Sequence, residues 1–89
     1  MDPNLASIVE CLNQHKTRAT YGAVAEVLGV LPLSMGARLG PHSPEASWIV
    51  SSRSGLPTGY DENQMHPQLR SNSRVIRTKS ELEELLRRC

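Results

Sequence analysis

Thr20-Tyr21-Gly22-Ala23-Val24-Ala25-Glu26-Val27-Leu28-Gly29, followed by Val30-Leu31-Pro32-Leu33-Ser34-Met35-Gly36-Ala37-Arg38-Leu39-Gly40-Pro41, is the stretch that decides how this chain is read. The first half opens on a threonine, whose hydroxyl can accept backbone N–H bonds, and closes on a glycine that tolerates left-handed backbone. Tyr21, Val24, Ala25 and Leu28 recur between them at helical spacing. The second half starts at Pro32, which has no N–H to lose in a first turn. It continues through good helix formers and is stopped by Gly40-Pro41. Only about three residues join the two helices, so they must turn sharply on each other as in a helix-turn-helix.

Upstream, Asp2-Pro3 is a helix opening, and Leu5, Ile8, Val9 and Leu12 form one apolar stripe on a first helix that runs to about His15. The polar residues His15 to Arg18 read as a connector. Downstream the period changes. Trp48-Ile49-Val50 is β-prone, Ser51 to Gly55 is a turn-forming cluster, and Leu56 to Tyr60 is a second extended piece, which together predict a hairpin. Pro67 limits helix within Asp61 to Leu69 to a turn or two. Val75-Ile76-Arg77 predicts a short strand. Thr78 to Glu81 is a capping box ahead of Leu82, Leu85 and Leu86, a stripe expected to dock on the chain's own core, and Arg87 and Arg88 suit the negative end of that helix. The expected fold is a single α+β domain over residues 1–89, a winged helix-turn-helix with a small hairpin wing and an extra C-terminal helix.

The chain has 89 residues and no apolar run near the ~18–20 needed to cross a bilayer, which excludes a membrane span and a two-domain enzyme. At 38% hydrophobic and 21% charged it has the composition of a folded domain, and with one Trp, two Tyr and no Phe its core must be aliphatic. A net charge of +1 lacks the strongly basic signature of many nucleic-acid binders, although between residues 14 and 58 Lys16, Arg18, Arg38 and Arg53 outweigh Glu26 and Glu45. Cys11 and Cys89 lack the tight spacing of a disulfide scaffold or zinc site and can pair only if the fold brings the first helix and the C-terminus together. They read as reduced thiols of a cytoplasmic protein. His15, His42 and His66 share no ligand-like spacing with each other or with the cysteines, so no metal and no cofactor are expected. An acidic residue and a helix start after Met1 are unlike a secretory leader.

Three segments carry a family resemblance: Thr20 to Gly29, Met35-Gly36-Ala37-Arg38-Leu39, and Ser47-Trp48-Ile49-Val50 through Gly55 to Gly59-Tyr60. Over roughly residues 4 to 60 the chain resembles the C-terminal DNA-binding domain of the O6-alkylguanine DNA alkyltransferases and their non-enzymatic relatives, the alkyltransferase-like proteins. Residues 61–89 have no counterpart and form a C-terminal extension. The resemblance implies a third helix lying in the minor groove of double-stranded DNA, with Ser34, Gly36 and Ala37 small enough for close approach to the backbone. Tyr21 matches the family tyrosine that crowds the target phosphate and favours rotation of the nucleotide out of the stack. Arg38 lies near the family's stack-filling arginine, although an ungapped reading puts Gly40 there. Arg53, among Ser51, Ser52 and Ser54, sits where a cation can reach phosphates.

The active-site strand departs from the pattern. Family enzymes carry Pro-Cys-His-Arg, and here Ala46-Ser47-Trp48-Ile49 occupies those places without gaps. A serine hydroxyl is less acidic and less nucleophilic than a thiol, and neither Trp48 nor Ile49 can activate it. A shift by one residue instead sets Trp48 where some alkyltransferase-like proteins carry tryptophan, and both registers remain open. In either, Ser47 and Trp48 are the expected base pocket, with the indole available for stacking. The implied function is non-enzymatic DNA binding in DNA repair, directed at modified or flipped bases of an alkylated duplex. Two alternatives stand beside it: a protein-interaction module that has lost DNA binding and engages a partner through the extension, and a residual alkyltransferase using Ser47 or Cys11.

Overall fold

The computed structural model describes residues 3–89. Its centre is a short strand, β1 (Arg18–Thr20), flanked in parallel on one side by β2 (Ile49–Val50) and on the other by β3 (Val75–Ile76). Ala19 is paired with Ile49 and with Ile76, and all three side chains are fully buried. Around this sheet pack α1 (Pro3–His15), α2 (Tyr21–Leu28), α3 (Met35–Leu39) and α4 (Lys79–Leu86). The described residues thus form an α+β domain of four α-helices and a three-stranded parallel sheet.

The helices form where the periodicity puts them. α1 buries Leu5, Ile8, Val9 and Leu12, together with Cys11. Its expected cap, Asp2, lies outside the described residues. The helix ends at Lys16, which takes left-handed backbone (φ 51°), while the N–H of Thr17 donates to the carbonyl of Leu12 at 3.1 Å. Thr20 caps α2, its hydroxyl accepting the Ala23 N–H at 3.1 Å. Gly29, at φ 71°, closes it with the paired bonds of a Schellman turn, Gly29 N–H to Glu26 and Val30 N–H to Ala25. Pro32–Ser34 then makes a turn of 3-10 helix that leads into α3, and the axis of 32–39 is bent by 101° from that of α2. At α4 the Thr78 hydroxyl accepts from the Glu81 N–H at 3.3 Å, and the buried Leu82 and Leu85 pack the helix against α2.

The hairpin does not form. Residues 51–60 are successive turns, and the partner of β2 is β1, running parallel. The cause is legible in the burial: Trp48, Ile49 and Val50 are all fully enclosed, and a strand covered on both faces belongs to a parallel arrangement rather than to a half-exposed wing. β1 itself arises where the residues read as a connector end at Arg18 and meet the cap residue Thr20. The extension is integral to the domain, since Leu69, Ile76, Leu82 and Leu85 join the same core as Leu5, Leu12, Met35 and Trp48. Among the described residues no single helix is long and apolar enough to cross a membrane.

The cysteines correct a second expectation. Packing α4 against α1 and α2 brings Cys89 to Cys11, and the two form a disulfide with Cα atoms 5.9 Å apart rather than standing as free thiols. The bridge spans 78 residues of sequence, so it removes a large share of the unfolded chain's freedom. Cys89→Ser is therefore expected to lower the unfolding free energy by about 2–4 kcal/mol and to steepen the urea dependence, because the unfolded chain expands. Identical urea curves for the variant and the oxidised protein would contradict the bridge.

Candidate functional site

α3 is held by two of its residues and open along the rest. Met35 and Leu39 are buried, whereas Gly36, Ala37 and Arg38 are exposed. A Cβ built on Gly36 meets no atom within 4 Å. Ser34 sits half-buried just before the helix, its hydroxyl donating to the Leu31 carbonyl at 2.7 Å and accepting from Nε of the exposed Arg38 at 3.0 Å. Leu31 and Leu33, which lead into this face, are 75% and 98% exposed.

Tyr21, half-buried at the first position of α2, stands beside this face. Its hydroxyl accepts the Thr58 N–H at 3.0 Å, which ties the 51–60 loop to the start of the helix. Tyr21 lines two hollows. The smaller lies toward α3 and is walled by Gly36, Leu39, Gly40, His42, Thr58 and Tyr60. The larger, about 440 Å³, is lined further by Gly22, Glu26, Pro32, Ser51, Ser52 and Arg77. His42 and Tyr60 stack with ring centroids 4.0 Å apart, and the Tyr60 hydroxyl accepts the Ser43 N–H at 3.2 Å. Burial pushes the Tyr60 phenol up from its ordinary value, partly offset by that N–H, so it remains a neutral phenol at any physiological pH.

Of the sequence-predicted residues, Tyr21, Ser34, Gly36, Ala37 and Arg38 therefore share one neighbourhood. Arg53 lies elsewhere on the 51–60 loop, exposed, its N–H donating to the Ser51 hydroxyl at 3.2 Å. Ser47 and Trp48 do not form an open pocket. Trp48 is fully buried, its Nε1–H donating to Asn13 Oδ1 at 2.9 Å and its ring lying 4.9 Å from that of His66. Ser47 is also fully buried, its hydroxyl donating to the Pro44 carbonyl and accepting the His66 N–H at 3.0 Å. The physical reason is that an aromatic-poor chain spends its one indole on filling the core.

Two of the cations that make the stretch from 14 to 58 mildly basic, Arg18 and Lys16, are engaged internally. Arg18 donates from Nη1 to the Gly55 carbonyl at 2.8 Å and from Nη2 to the Asn72 carbonyl at 2.9 Å, while its Nε is buried without a partner. Burial, with Arg70 nearby, lowers its pKa from the usual value. Lys16 donates to the Asn13 carbonyl at 2.7 Å. Sequence reasoning missed His42, Tyr60 and Arg77 at the hollows, and nothing in their spacing signals the meeting. It also missed a cluster between α1 and the end of α4: the sulfurs of Cys11 and Cys89 and a ring nitrogen of His15 lie within 4.8 Å of one another. There a signal existed, since Cys11 and His15 are four apart and so share one face of α1.

Comparison of the chain with protein-family models, with curated proteins and with solved structures finds no match. The assignment of residues consequently rests on geometry. As the only tryptophan, Trp48 reports on its own environment: native fluorescence is expected to resist iodide quenching and to become quenchable on unfolding. Strong quenching of the folded protein would reopen the indole as a pocket wall.

Proposed function

We propose that this chain is a non-enzymatic DNA-binding domain that lays α3 along the minor groove of double-stranded DNA, alkylated duplex included, in the manner of the alkyltransferase-like proteins it resembles. One observation carries the reading. α3 faces solvent with Gly36 and Ala37, side chains small enough to let a sugar-phosphate backbone approach closely, while its bulky Met35 and Leu39 point into the core. The 101° turn between α2 and the 32–39 segment lies within the range of helix-turn-helix pairs and supports the same reading. Arg38 supplies a phosphate contact at the edge of the face, and Tyr21 presses on the strand beside it. The hollow of about 440 Å³ beside Tyr21 is the room for an extruded base, in place of Ser47 and Trp48. The bond from Thr58 to Tyr21 keeps the 51–60 loop beside the start of α2, which supports a role for that loop in place of the hairpin wing.

The non-enzymatic part is supported by Ser47, which is enclosed, hydrogen-bonded in both directions and without a base to activate it. Of the cations between residues 14 and 58, Arg38 and Arg53 are the ones left to meet phosphates, so binding is weak, with a salt slope no steeper than about −0.9 per neutralised phosphate. The reading places the protein in the cytoplasm, a reducing compartment in which the Cys11–Cys89 bridge is open to reduction. A second reading, an interaction module without DNA affinity, is favoured by the exposed Leu31 and Leu33.

Fluorescence anisotropy with labelled duplex separates these readings. The wild type is expected to bind at low salt, and Arg38→Ala to weaken binding roughly fivefold and flatten the salt dependence by about one phosphate, as an exposed phosphate contact implies. Absence of any binding at low salt removes the proposal and leaves the interaction module. Incubation with O6-alkylguanine duplex, followed by intact-mass measurement, is expected to show no mass gain. A stable gain of one alkyl group would instead establish transfer.

A further inference from the structure

On the side of the domain formed by α1 and the end of α4, three donors converge: Cys11 Sγ, Cys89 Sγ and a ring nitrogen of His15, all within 4.8 Å of one another. Cys11 and His15 come from one face of a single helix, spaced by four residues, so the backbone of α1 fixes their separation. Cys89 is delivered by the turn that ends α4, where its N–H donates to the Leu86 carbonyl at 3.2 Å. A depression lined by Ser7, Glu10 and Gln14 opens beside the sulfurs and leaves a path for a small ion.

In the disulfide the two sulfurs are bonded to each other and carry no charge for a metal. Reduction changes that. A dithiol breaks the S–S bond by exchange, handing over two electrons and its two protons and ending as a disulfide; a phosphine supplies the two electrons and ends as its oxide, with water giving the oxygen and the two protons of the thiols. The burial of Leu82 and Leu85 of α4 in the shared core does not depend on the S–S bond and would keep the two thiols neighbours, with His15 beside them. Thiolate and imidazole are the donor set that zinc-class ions favour over oxygen-seeking ones.

We propose that the reduced chain binds one zinc-class divalent ion through Cys11 Sγ, Cys89 Sγ and His15. A water completes four-coordination on the side of the depression, and the two thiol protons are released on binding. Disulfide and metal are then alternative clasps between α1 and α4, chosen by the redox state of the surroundings. The inference stands on its own residues and does not rest on the nucleic-acid reading.

The test is an anaerobic Co²⁺ titration of the full chain reduced with a water-soluble phosphine, followed by displacement with Zn²⁺. Expected is thiolate-to-metal charge-transfer absorption that saturates at one ion per chain and is lost when Zn²⁺ displaces Co²⁺. The oxidised chain should give no such absorption. His15→Ala should weaken binding roughly tenfold or more, and Cys89→Ser should abolish the two-thiolate spectrum. Reduced wild type without charge-transfer absorption at stoichiometric Co²⁺ overturns the proposal, including the case in which reduction lets α4 detach. So does a His15→Ala variant that binds as tightly as wild type.

Discussion

The three residues of β1 are the constraint on which the rest of the domain depends. Arg18, Ala19 and Thr20 pair in parallel with strands on both sides, and parallel partners can be reached only through long crossovers. The 28 residues between β1 and β2 therefore have to carry α2, α3 and the loops around them, and those between β2 and β3 have to return across the domain. Each β1 residue also does something local. Thr20 caps α2 and sets the direction in which Tyr21 leaves the sheet, Ala19 is the contact point of two buried isoleucines, and Arg18 reaches the backbone of Gly55 and Asn72. Charge-assisted bonds to two carbonyls from one planar fork hold two otherwise irregular segments in place, and no other side chain offers that geometry. Gly55 belongs to this arrangement. It adopts φ 70°, and a Cβ there would sit 3.5 Å from Nη1 of Arg18.

Much of this was legible in the amino-acid order because it depends on neighbours. The limits of α1 and α2, the cap at Thr20, the stop at Gly29, the proline start of the 32–39 segment, the strand at Val75-Ile76 and the Thr78 cap of α4 all follow from residues within one or two turns of one another. What was not legible depends on partners far away in the chain. Arg18-Ala19-Thr20 is only three residues with polar ends, so its role as the central strand appears only once Ile49 and Ile76 are in place beside it. The apolar run Trp48-Ile49-Val50 suits a strand in either orientation, and the turn residues after it suggested a hairpin. Burial on both faces, a property of the whole fold, sent it to β1 instead.

The candidate site divides in the same way. That α3 would be short, small-sided and bounded by Gly40 was local information, and the structure adds that its small side faces outward. Trp48 and Arg18 show the opposite case. Both residue types are common at binding surfaces, and both are drawn inward here by core demands that no short motif encodes: an unfilled volume beside α1 and a pair of carbonyls in need of donors. His42, Tyr60 and Arg77 come to the hollows beside Tyr21 from three separate loops. Their convergence is a product of topology.

The bridge between Cys11 and Cys89 gives the molecule a covalent ring that encloses all three strands, α2, α3 and α4. A protease that nicks an exposed turn such as Ser52-Arg53-Ser54 would leave two pieces still tethered, each holding the other at high effective concentration, so the cut form can retain or regain its shape. With the ring opened, the same nick frees a C-terminal fragment carrying β3 and α4. The lifetime of the folded chain in a proteolytic environment is thereby coupled to its thiol chemistry rather than to its core alone.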